Sequence, residues 1–307
     1  MGINGRVLSI QSSVVSGYVG NKSAVFPLQL LGFEVDIINS VQFSNHTGYR
    51  QGWTGQKLTG EELLDLIEGM RSNDLLHQIS HLLTGYVGTE SFLRTLLKVH
   101  ETLVKVNPGL VFVCDPVLGD DGVYYTERGL ASVYREDVFP QADIITPNAF
   151  ELGVLCGEDE SWGSEPRTKE EIFEACLKLH KLGPKTVIVT SSVSRETQFI
   201  MAYASRVCKT QDREMFTFEI ERIPAHFTGS GDLTAAMLLA HLTGSNPRPL
   251  MEACEYAFST TAAVLASTYE HGKKGMAPMA ELELIRSQHL ILKPPLTVKA
   301  QEWSPHS

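Results

Sequence analysis

The chain has 307 residues, enough for one large α/β domain or two smaller ones, and its composition is that of an ordinary globular protein. Its 36 acidic residues outnumber its 26 basic residues, giving a formal net charge of −10. That charge argues against general binding of nucleic acid or of anionic membranes. The five cysteines form no C-x-x-C pair, the N-terminus has no signal-peptide core, and no apolar run is long enough to span a bilayer. We therefore expect a soluble, cytoplasmic protein with reduced thiols and neither a nucleic-acid nor a membrane partner.

Short apolar runs alternate with longer helical stretches over the first two thirds of the chain. The predicted strands are residues 6–12, 34–40, 81–87, 110–117, 142–148 and 185–192. The predicted helices are residues 21–31, 60–70, 90–106, 127–137, 149–156 and 168–182. Apolar strands alternating with helices indicate βαβ units, and therefore a mostly parallel sheet with helices on both faces.

The pattern changes after residue 192. Residues 198–207 and 214–223 read as two neighbouring antiparallel strands, and the second alternates in polarity along its length. Helices are predicted from Leu233, over 251–268 and over 279–291, and residues 293–307 are expected to form a peripheral tail. Because no repeat or linker is visible, we expect a single α/β domain over residues 1–307, built as a three-layer α/β/α sandwich.

Polar residues follow five of the predicted strands. They are Gln11 and Ser12, Asn39 and Ser40, Asp115, Thr146 to Asn148, and Thr190 to Ser192. In open parallel sheets, ligands bind beyond the carboxyl ends of the strands. Polar residues at one strand end are ordinary, but five sets at one edge of a sheet predict a polar cleft.

The stretch "FTGSGDLTAAMLLA", residues 227–240, places small residues before an apolar helix. Gly229, Ser230 and Gly231 leave the first amides of that helix uncovered, and these amides together with the helix dipole favour an anion. Asp232 stands at the edge of this site. An aspartate in this place also suits a simple helix cap, so the fragment alone leaves both interpretations open.

Three further carboxylates are predicted at the same cleft. Asp115 and Asp120 lie in "CDPVLGD", and Glu151 lies one turn into the helix that follows "TPNAFE". Carboxylates suit Mg²⁺ or another divalent ion held together with substrate phosphates, although Asp115 could be a turn residue and Glu151 a helix N-terminal charge. With an anion cradle, a cation and Asp232 as acceptor of a hydroxyl proton, the set predicts phosphoryl transfer to an alcohol. The chain has no P-loop motif, and no G-x-G-x-x-G follows the first strand.

With these residues in view, the chain resembles the pyridoxal kinases of the eukaryotic type, in the ribokinase-like superfamily. The resemblance covers nearly the whole chain and is carried by "RVLSIQSSVVSGYVG", "NHTGY", "LLTGY", "DPVLGD", "ADIITPNAFE", "VIVTSS" and "GSGDLTAAMLLA". It implies a ribokinase-like fold and ATP-dependent phosphorylation of the 5′-hydroxymethyl group of pyridoxal, pyridoxamine or pyridoxine, a step of vitamin B6 salvage. Hydroxymethylpyrimidine kinases are also similar, but they typically have cysteine where Asp232 stands.

The resemblance also implies roles for individual residues. Asp232 would be the base, and the amides of Gly229, Ser230 and Gly231 the anion hole. Ser12 and Thr47 would bind the polar edge of the pyridine ring, and Val19, Phe43 and Tyr86 would lie against its faces. The implied ATP-binding residues are Asp115, Asp120, Tyr125, Asn148, Glu151, Thr190, Ser191, Ile223, Pro224, Ala225 and Ser230.

For cations, the resemblance implies Mg²⁺ or another divalent ion at Asp115, Asp120 and Glu151. A potassium or sodium ion would lie at Thr146 with Asp115. Homodimers are usual in the family. His46 is interpreted as orienting its own loop, and Trp53 as a cover of the substrate pocket.

Two other functions stay open from the residues themselves. One is a kinase for another small alcohol, such as a hydroxymethylpyrimidine or a sugar. The other is a protein that binds nucleotide or pyridoxal phosphate without catalysis. Val19, Phe43 and Tyr86 could also be plain core residues.

Overall fold

The computed structural model describes residues 4–196, 198–208, 213–272 and 280–304. Within them the strands are β1 (Arg6–Val14), β2 (Glu34–Phe43), β3 (Gly55–Lys57), β4 (His81–Thr84), β5 (Val111–Cys114), β6 (Gly119–Asp120), β7 (Val123–Tyr124), β8 (Ile144–Ile145), β9 (Thr186–Val193), β10 (Phe199–Val207), β11 (Arg213–Glu221), β12 (Phe227–Thr228), β13 (Ala280–Glu281) and β14 (Ala300–Glu302). The α-helices are α1 (Asn21–Leu30), α2 (Gly60–Ser72), α3 (Glu90–Val106), α4 (Leu130–Val133), α5 (Ala149–Leu155), α6 (Lys169–His180), α7 (Ser230–Thr243), α8 (Leu250–Gly272) and α9 (Gln288–Leu292).

The main sheet has the strand order β14-β11-β10-β9-β8-β5-β4-β1-β2-β3. The six central strands from β9 to β2 are parallel, which confirms the predicted sheet. Antiparallel strands flank them: β10, β11 and β14 on one side, and β3 on the other. The carboxyl ends of the parallel strands therefore meet at a single edge.

Alternate residues of the central strands enter two different hydrophobic cores. Val7 packs on the side covered by α1, α7, α8 and α9, whereas its neighbour Leu8 packs on the side covered by α2 to α6. The same division separates Leu83 from Leu82 in β4. Because both faces of the sheet are covered, the strands read as continuous apolar runs in the sequence. The predicted three-layer α/β/α sandwich is confirmed.

The predicted antiparallel pair is confirmed as β10 and β11, with Tyr203 opposite Thr217. The alternation of β11 does not separate a buried face from a solvent face, however. Met215 enters one core and Phe218 the other, and residues 215–218 are all buried.

Two predicted helices differ in the structure. The helix predicted over 279–291 is wrong over most of its length, because Glu281 lies in β13, paired with β12, and α9 begins only at Gln288; residue 279 lies outside the described residues. The helix predicted over 127–137 begins at Leu130. After Val133 it continues as a wider turn in which the Phe139 amide donates to the Tyr134 carbonyl.

All five cysteines are free thiols, as predicted from their spacing. Among the helices of the described ranges, none combines the length and the apolar character needed to cross a bilayer.

The C-terminal segment lies along one edge of the sheet. Val298 is buried, and its amide donates to Ser259 Oγ at 3.0 Å. β14 then pairs with β11, and the Trp303 ring stacks on Phe173 with 4.5 Å between centroids. The segment predicted as a peripheral tail thus forms the edge strand as far as it is described; residues 305–307 lie outside the described part.

We expect Trp303→Ala to lower the free energy of unfolding by about 2 kcal/mol, because it removes a half-buried aromatic stack on Phe173. Urea denaturation measures the change. The matched control is Glu302→Ala on the same strand, an exposed position whose replacement should change stability by less than about 0.5 kcal/mol. Equal stability of the two variants would contradict the docking of this segment through Trp303.

Candidate active site

The parallel strands bring the predicted polar residues to one edge of the sheet. Ser12 lies near the end of β1, Asp115 directly follows β5, Thr146 directly follows β8, and Thr190 lies in β9. A cavity of about 600 Å³ opens beside them. Of the residues predicted for the site, its walls include Asp120, Asn148, Thr190, Ser191, Ile223, Pro224, Ala225, Ser230 and Gly231. A second, more open depression around Arg128 and Arg135 is lined by none of the predicted residues.

The GSGD turn has the backbone that its glycines suggest. Gly229 has φ of 83°, and a Cβ there would lie 2.0 Å from the Tyr18 carbonyl oxygen. α7 begins at Ser230, so the amides of its first turn have no partner within the helix. The turn therefore offers an anion several N–H donors at the positive end of a 14-residue helix.

Asp232 is held by the turn between β1 and α1. The Gly20 amide donates to Asp232 Oδ2 at 2.7 Å, and Ser23 Oγ donates to the Gly229 carbonyl at 2.8 Å. Gly20 has φ of 54°, and a Cβ there would lie 2.0 Å from the Ser12 carbonyl oxygen. The carboxylate of Asp232 is thus held through Oδ2, and this hydrogen bond does not involve Oδ1.

Asp115 lies against the same turn. Its Oδ1 accepts a hydrogen bond from Thr146 Oγ1 at 3.0 Å, and its Oδ2 would be 3.9 Å from a Cβ placed on Gly231. Burial, and then the nearby charge of Asp232, raise the pKa of Asp115 to about 8. Burial also raises the pKa of Asp232. The two carboxyl groups share one poorly hydrated region.

Glu151 anchors the chain segment that follows Asp115. Its Oε2 accepts from the Asn148 amide at 2.8 Å, and Asn148 Oδ1 accepts from the Glu151 amide, so the two form the capping box of α5. Its Oε1 accepts from the Leu118 amide at 2.9 Å, and Asn148 Nδ2 donates to the Gly119 carbonyl. The interpretation of Glu151 as a helix N-terminal residue is correct, and the same carboxylate also holds the loop that leads to Asp120.

Asp120 faces the cavity from the short β6–β7 hairpin. Partial enclosure and the neighbouring Asp121 raise its pKa to about 6, although His226 opposes the shift. Partial enclosure, and then Asp120 and Asp121, raise the pKa of Tyr125 to about 12, although the side chain is 55% exposed and is not among the lining residues of the cavity. The Tyr124 ring instead packs edge-on against Phe150, 5.1 Å between centroids.

Within the described ranges, the carboxylates of the site lack a lysine or arginine ion-pair partner. In the described part of the chain, no Lys or Arg forms an ion pair within 4.0 Å of Asp115, Asp120, Glu151 or Asp232. Burial and mutual repulsion raise the pKa values of Asp115 and Glu151, and both effects are relieved by a cation. Across the described ranges no three His, Cys, Asp or Glu side chains could hold a metal by themselves. A hard cation that takes further oxygen ligands from phosphates and water fits this donor set.

A small apolar cluster stands apart from the two cores. It contains Val14, Val19, Val41 and Phe43, with Tyr86 packed against it, so it unites the three residues predicted for the faces of a pyridine ring. Trp53, which is 40% exposed, stacks on Phe43 with 3.9 Å between the ring centroids. The cluster is packed closed in this structure: neither of the two cavities above is lined by its residues, and Trp53 lies on the face of Phe43.

An irregularity of the sheet lies opposite Ser12. Gln11 pairs with Asn39 but Ser12 pairs with Val41, so Ser40 is an extra residue in β2. The Ser40 hydroxyl donates to the Tyr86 carbonyl at 2.8 Å and so connects the bulge to the cluster. Thr47 is exposed on the loop that follows β2.

His46 orients its loop, as interpreted from the sequence. The Gly48 amide donates to His46 Nδ1 at 3.1 Å, and His46 Nε2 lies 3.4 Å from Glu281 Oε1.

Sequence reasoning missed two residues that organise the site. Asn21 is buried at the start of α1, where it donates to the Ile38 carbonyl and to Asn39 Oδ1 and accepts from Ser9 Oγ. A Gly-Asn pair opening a helix was the available signal. Glu281 contacts three segments distant in the chain, and no local pattern reveals it.

Comparison with known proteins gives the family. A sequence model described as phosphomethylpyrimidine kinase matches residues 72–280. The chain is 47% identical to a pyridoxal kinase of Arabidopsis thaliana over 98% of its own length and 95% of that protein. It is 44% identical to the pyridoxal kinase of Bos taurus, over 96% of its length and 97% of that protein.

A solved structure is similar to this chain over nearly its whole length. The pyridoxal kinase of Leishmania donovani in complex with ADP and pyridoxamine is 31% identical, with a TM-score of 0.89 over 97% of this chain and 99% of that chain. The chain therefore belongs to the pyridoxal kinases, a family that shares its sequence model with phosphomethylpyrimidine kinase.

Proposed function

We propose that this protein transfers the γ-phosphoryl group of ATP to the 5′-hydroxymethyl group of pyridoxal, and also accepts pyridoxamine and pyridoxine. The observation that supports the proposal most directly is the Gly20–Asp232 hydrogen bond, because it joins the carboxylate beside the anion cradle of α7 to the residue that follows Val19. Support comes from the Leishmania donovani relative, whose complexes contain ADP with pyridoxamine and ADP with pyridoxine.

Asp232 accepts the proton of the attacking hydroxyl. The Gly20 amide orients the carboxylate through Oδ2, so Oδ1 meets the hydroxyl. The raised pKa of Asp232 makes the carboxylate a better proton acceptor than an ordinary aspartate. Positioning contributes most of the rate in phosphoryl transfer, and a carboxylate held at a helix start supplies it.

The transferred phosphoryl group lies at the amides of Gly229, Ser230 and Gly231. These donors and the dipole of α7 stabilise the charge that spreads over its oxygens. The nucleotide occupies the cavity, with the adenine beside Ile223, Pro224 and Ala225. The remaining nucleotide contacts come from Tyr125, Asn148, Thr190, Ser191 and Ser230.

Asp115, Asp120 and Glu151 would hold Mg²⁺ or another divalent ion, and Thr146 with Asp115 would hold potassium or sodium. When bound, these cations would neutralise the negative charge of the phosphates. The residues themselves keep the site in shape: Thr146 fixes Asp115, and Glu151 fixes the segment from Leu118 to Asp120.

The vitamin ring fits the apolar cluster. Val19, Phe43 and Tyr86 cover its faces, and Ser12 and Thr47 bind its polar edge. Contact between a flat ring and these side chains removes apolar area from water. The hydroxyl groups of Ser12 and Thr47 select the orientation of the ring.

A hydroxymethylpyrimidine kinase is the second candidate, favoured by the description of the matching sequence model. The match to that model begins at residue 72 and so does not include Ser12, Val19, Phe43 or Thr47.

For the protein as a whole, we propose one domain over residues 1–307, a homodimer and a cytoplasmic location. The five free thiols support the cytoplasmic location.

We predict that Asp232→Asn lowers kcat with pyridoxal by about a thousandfold and changes the affinity for ATP by less than about threefold. The amide oxygen of asparagine can still accept from Gly20, so the fold of the turn is kept while the proton acceptor is lost. Steady-state kinetics and nucleotide titration measure the two effects. Asp65→Asn, at an exposed position of α2, is the control and should behave as the wild type. Turnover of Asp232→Asn close to that of the control would refute the assigned role.

We predict that Glu151→Gln raises the Mg²⁺ concentration needed for half-maximal activity by about tenfold, because the negative charge that would attract the cation is lost. Excess Mg²⁺ should partly restore the activity. Activity measured against Mg²⁺ concentration at fixed ATP tests this.

Glu171→Gln is the matched control for that experiment, because Glu171 forms the same capping box with Thr168 at the start of α6. Its Mg²⁺ dependence should equal that of the wild type. If both variants shift equally, the effect of Glu151 comes from loss of a helix cap and not from the site.

A further inference from the structure

Glu281 lies where three distant segments of the chain meet. Its backbone belongs to β13, which pairs in parallel with β12 so that Glu281 is opposite Thr228. Thr228 directly precedes Gly229 of the anion cradle. The position of Glu281 is therefore tied to the strand that leads into α7.

The side chain of Glu281 contacts the two loops that carry the predicted substrate residues. Its Oε2 accepts from the Tyr18 amide at 3.0 Å, directly before Val19 and Gly20. Its Oε1 accepts from the Tyr49 hydroxyl at 3.1 Å. Oε1 is also 3.4 Å from His46 Nε2, so the residues on both sides of Thr47 meet this carboxylate.

The tautomer of His46 is set by its own loop. Because the Gly48 amide donates to Nδ1, the neutral ring carries its proton on Nε2, which faces Glu281. Burial lowers the pKa of His46, although Glu281 opposes the shift, so the ring is neutral near pH 7. Glu281 therefore accepts hydrogen bonds from the Tyr18 amide and the Tyr49 hydroxyl, and it lies 3.4 Å from the neutral His46 ring without a full ion pair.

The surroundings leave this carboxylate little freedom. Gly17 has φ of 101°, and a Cβ there would lie 2.4 Å from Glu281 Oε2, so the loop fits closely around the side chain. The side chain of Glu281 is nevertheless 25% exposed, and water can replace the loops as its partner. Trp53, which stacks on Phe43, belongs to the same loop as His46 and Tyr49.

We propose that Glu281 is a positioning residue that holds the flap loop, residues 44–54, and the turn of residues 15–20 against the substrate pocket. It thereby sets the affinity for the vitamin B6 substrate. The inference rests on the proposed function for the identity of the substrate. Tyr18, His46 and Tyr49, which the Glu281 side chain contacts, are not among the lining residues of the nucleotide cavity, so the KM for pyridoxal should respond more than the KM for ATP.

We expect Glu281→Ala to raise the KM for pyridoxal by about tenfold, because a charged acceptor of two hydrogen bonds is lost. The KM for ATP should change by less than about threefold. Glu283→Ala is the matched control on the same segment, since Glu283 faces His271 and Arg286 at 3.2 Å each. Its kinetic constants should equal those of the wild type. A KM for pyridoxal that is unchanged in Glu281→Ala, or raised equally in both variants, overturns the proposal.

Tyr49→Phe provides a second test, since it removes the hydroxyl that donates to Glu281 and keeps the aromatic ring. It should raise the KM for pyridoxal by about threefold in the wild type and have no further effect in Glu281→Ala. Additive effects of the two changes would contradict a shared contact. If Glu281→Ala fails to fold, Glu281→Gln and Tyr49→Phe replace it in the same assay.

Hydrogen exchange without substrate separates this proposal from the proposed function. Residues 44–54 should exchange faster in Glu281→Ala than in Glu283→Ala, while α3 should not change. If the wild type does not phosphorylate pyridoxal, the proposed function fails, yet faster exchange still supports the positioning role. Unchanged exchange of this loop overturns it.

Discussion

The hydrogen bond from the Gly20 amide to Asp232 is the contact on which the organisation of this molecule depends. It joins the turn between β1 and α1 to the start of α7 and holds a carboxylate close to the apolar cluster of Val19 and to a row of free amides. Glycine is required on both sides, because a Cβ at Gly20 would meet the Ser12 carbonyl and a Cβ at Gly229 the Tyr18 carbonyl. The central sheet brings these turns together by ending its parallel strands at one edge.

The same edge concentrates negative charge in a poorly hydrated place. Burial and repulsion raise the pKa values of Asp115 and Glu151, and the described ranges supply no lysine or arginine ion pair to offset them. A fold selected only for stability would replace such groups by apolar ones. Their presence agrees with the proposal that ligands bring both phosphates and cations to this site, and hydrogen bonds from Thr146 to Asp115 and from the Leu118 amide to Glu151 keep the two carboxylates in place.

The sequence predicted the parts of the structure that local patterns encode. α3 coincides with the predicted residues 90–106, and the polar ends of β1, β5 and β8 lie together because parallel strands end at one edge. The helix predicted over 279–291 was wrong because β13 is defined by its pairing with β12, more than fifty positions away along the chain. Glu281 and Asn21 were missed for the same reason: their importance lies in partners that only the folded chain brings near. The roles of the carboxylates were argued from their places at strand ends and at the start of a helix, whereas the substrate and nucleotide contacts were implied by the resemblance to a family, and all of these roles stay predictions.

The most direct test of this account is ADP release by the purified protein with Mg-ATP and potassium, compared between pyridoxal, hydroxymethylpyrimidine and ribose at equal concentrations. The account predicts rapid ADP release with pyridoxal and, for the other two alcohols, release close to the rate without substrate. Rapid release with hydroxymethylpyrimidine or ribose and none with pyridoxal would contradict the assignment of the pocket around Val19 and Phe43. Absence of release with all three would contradict phosphoryl transfer itself.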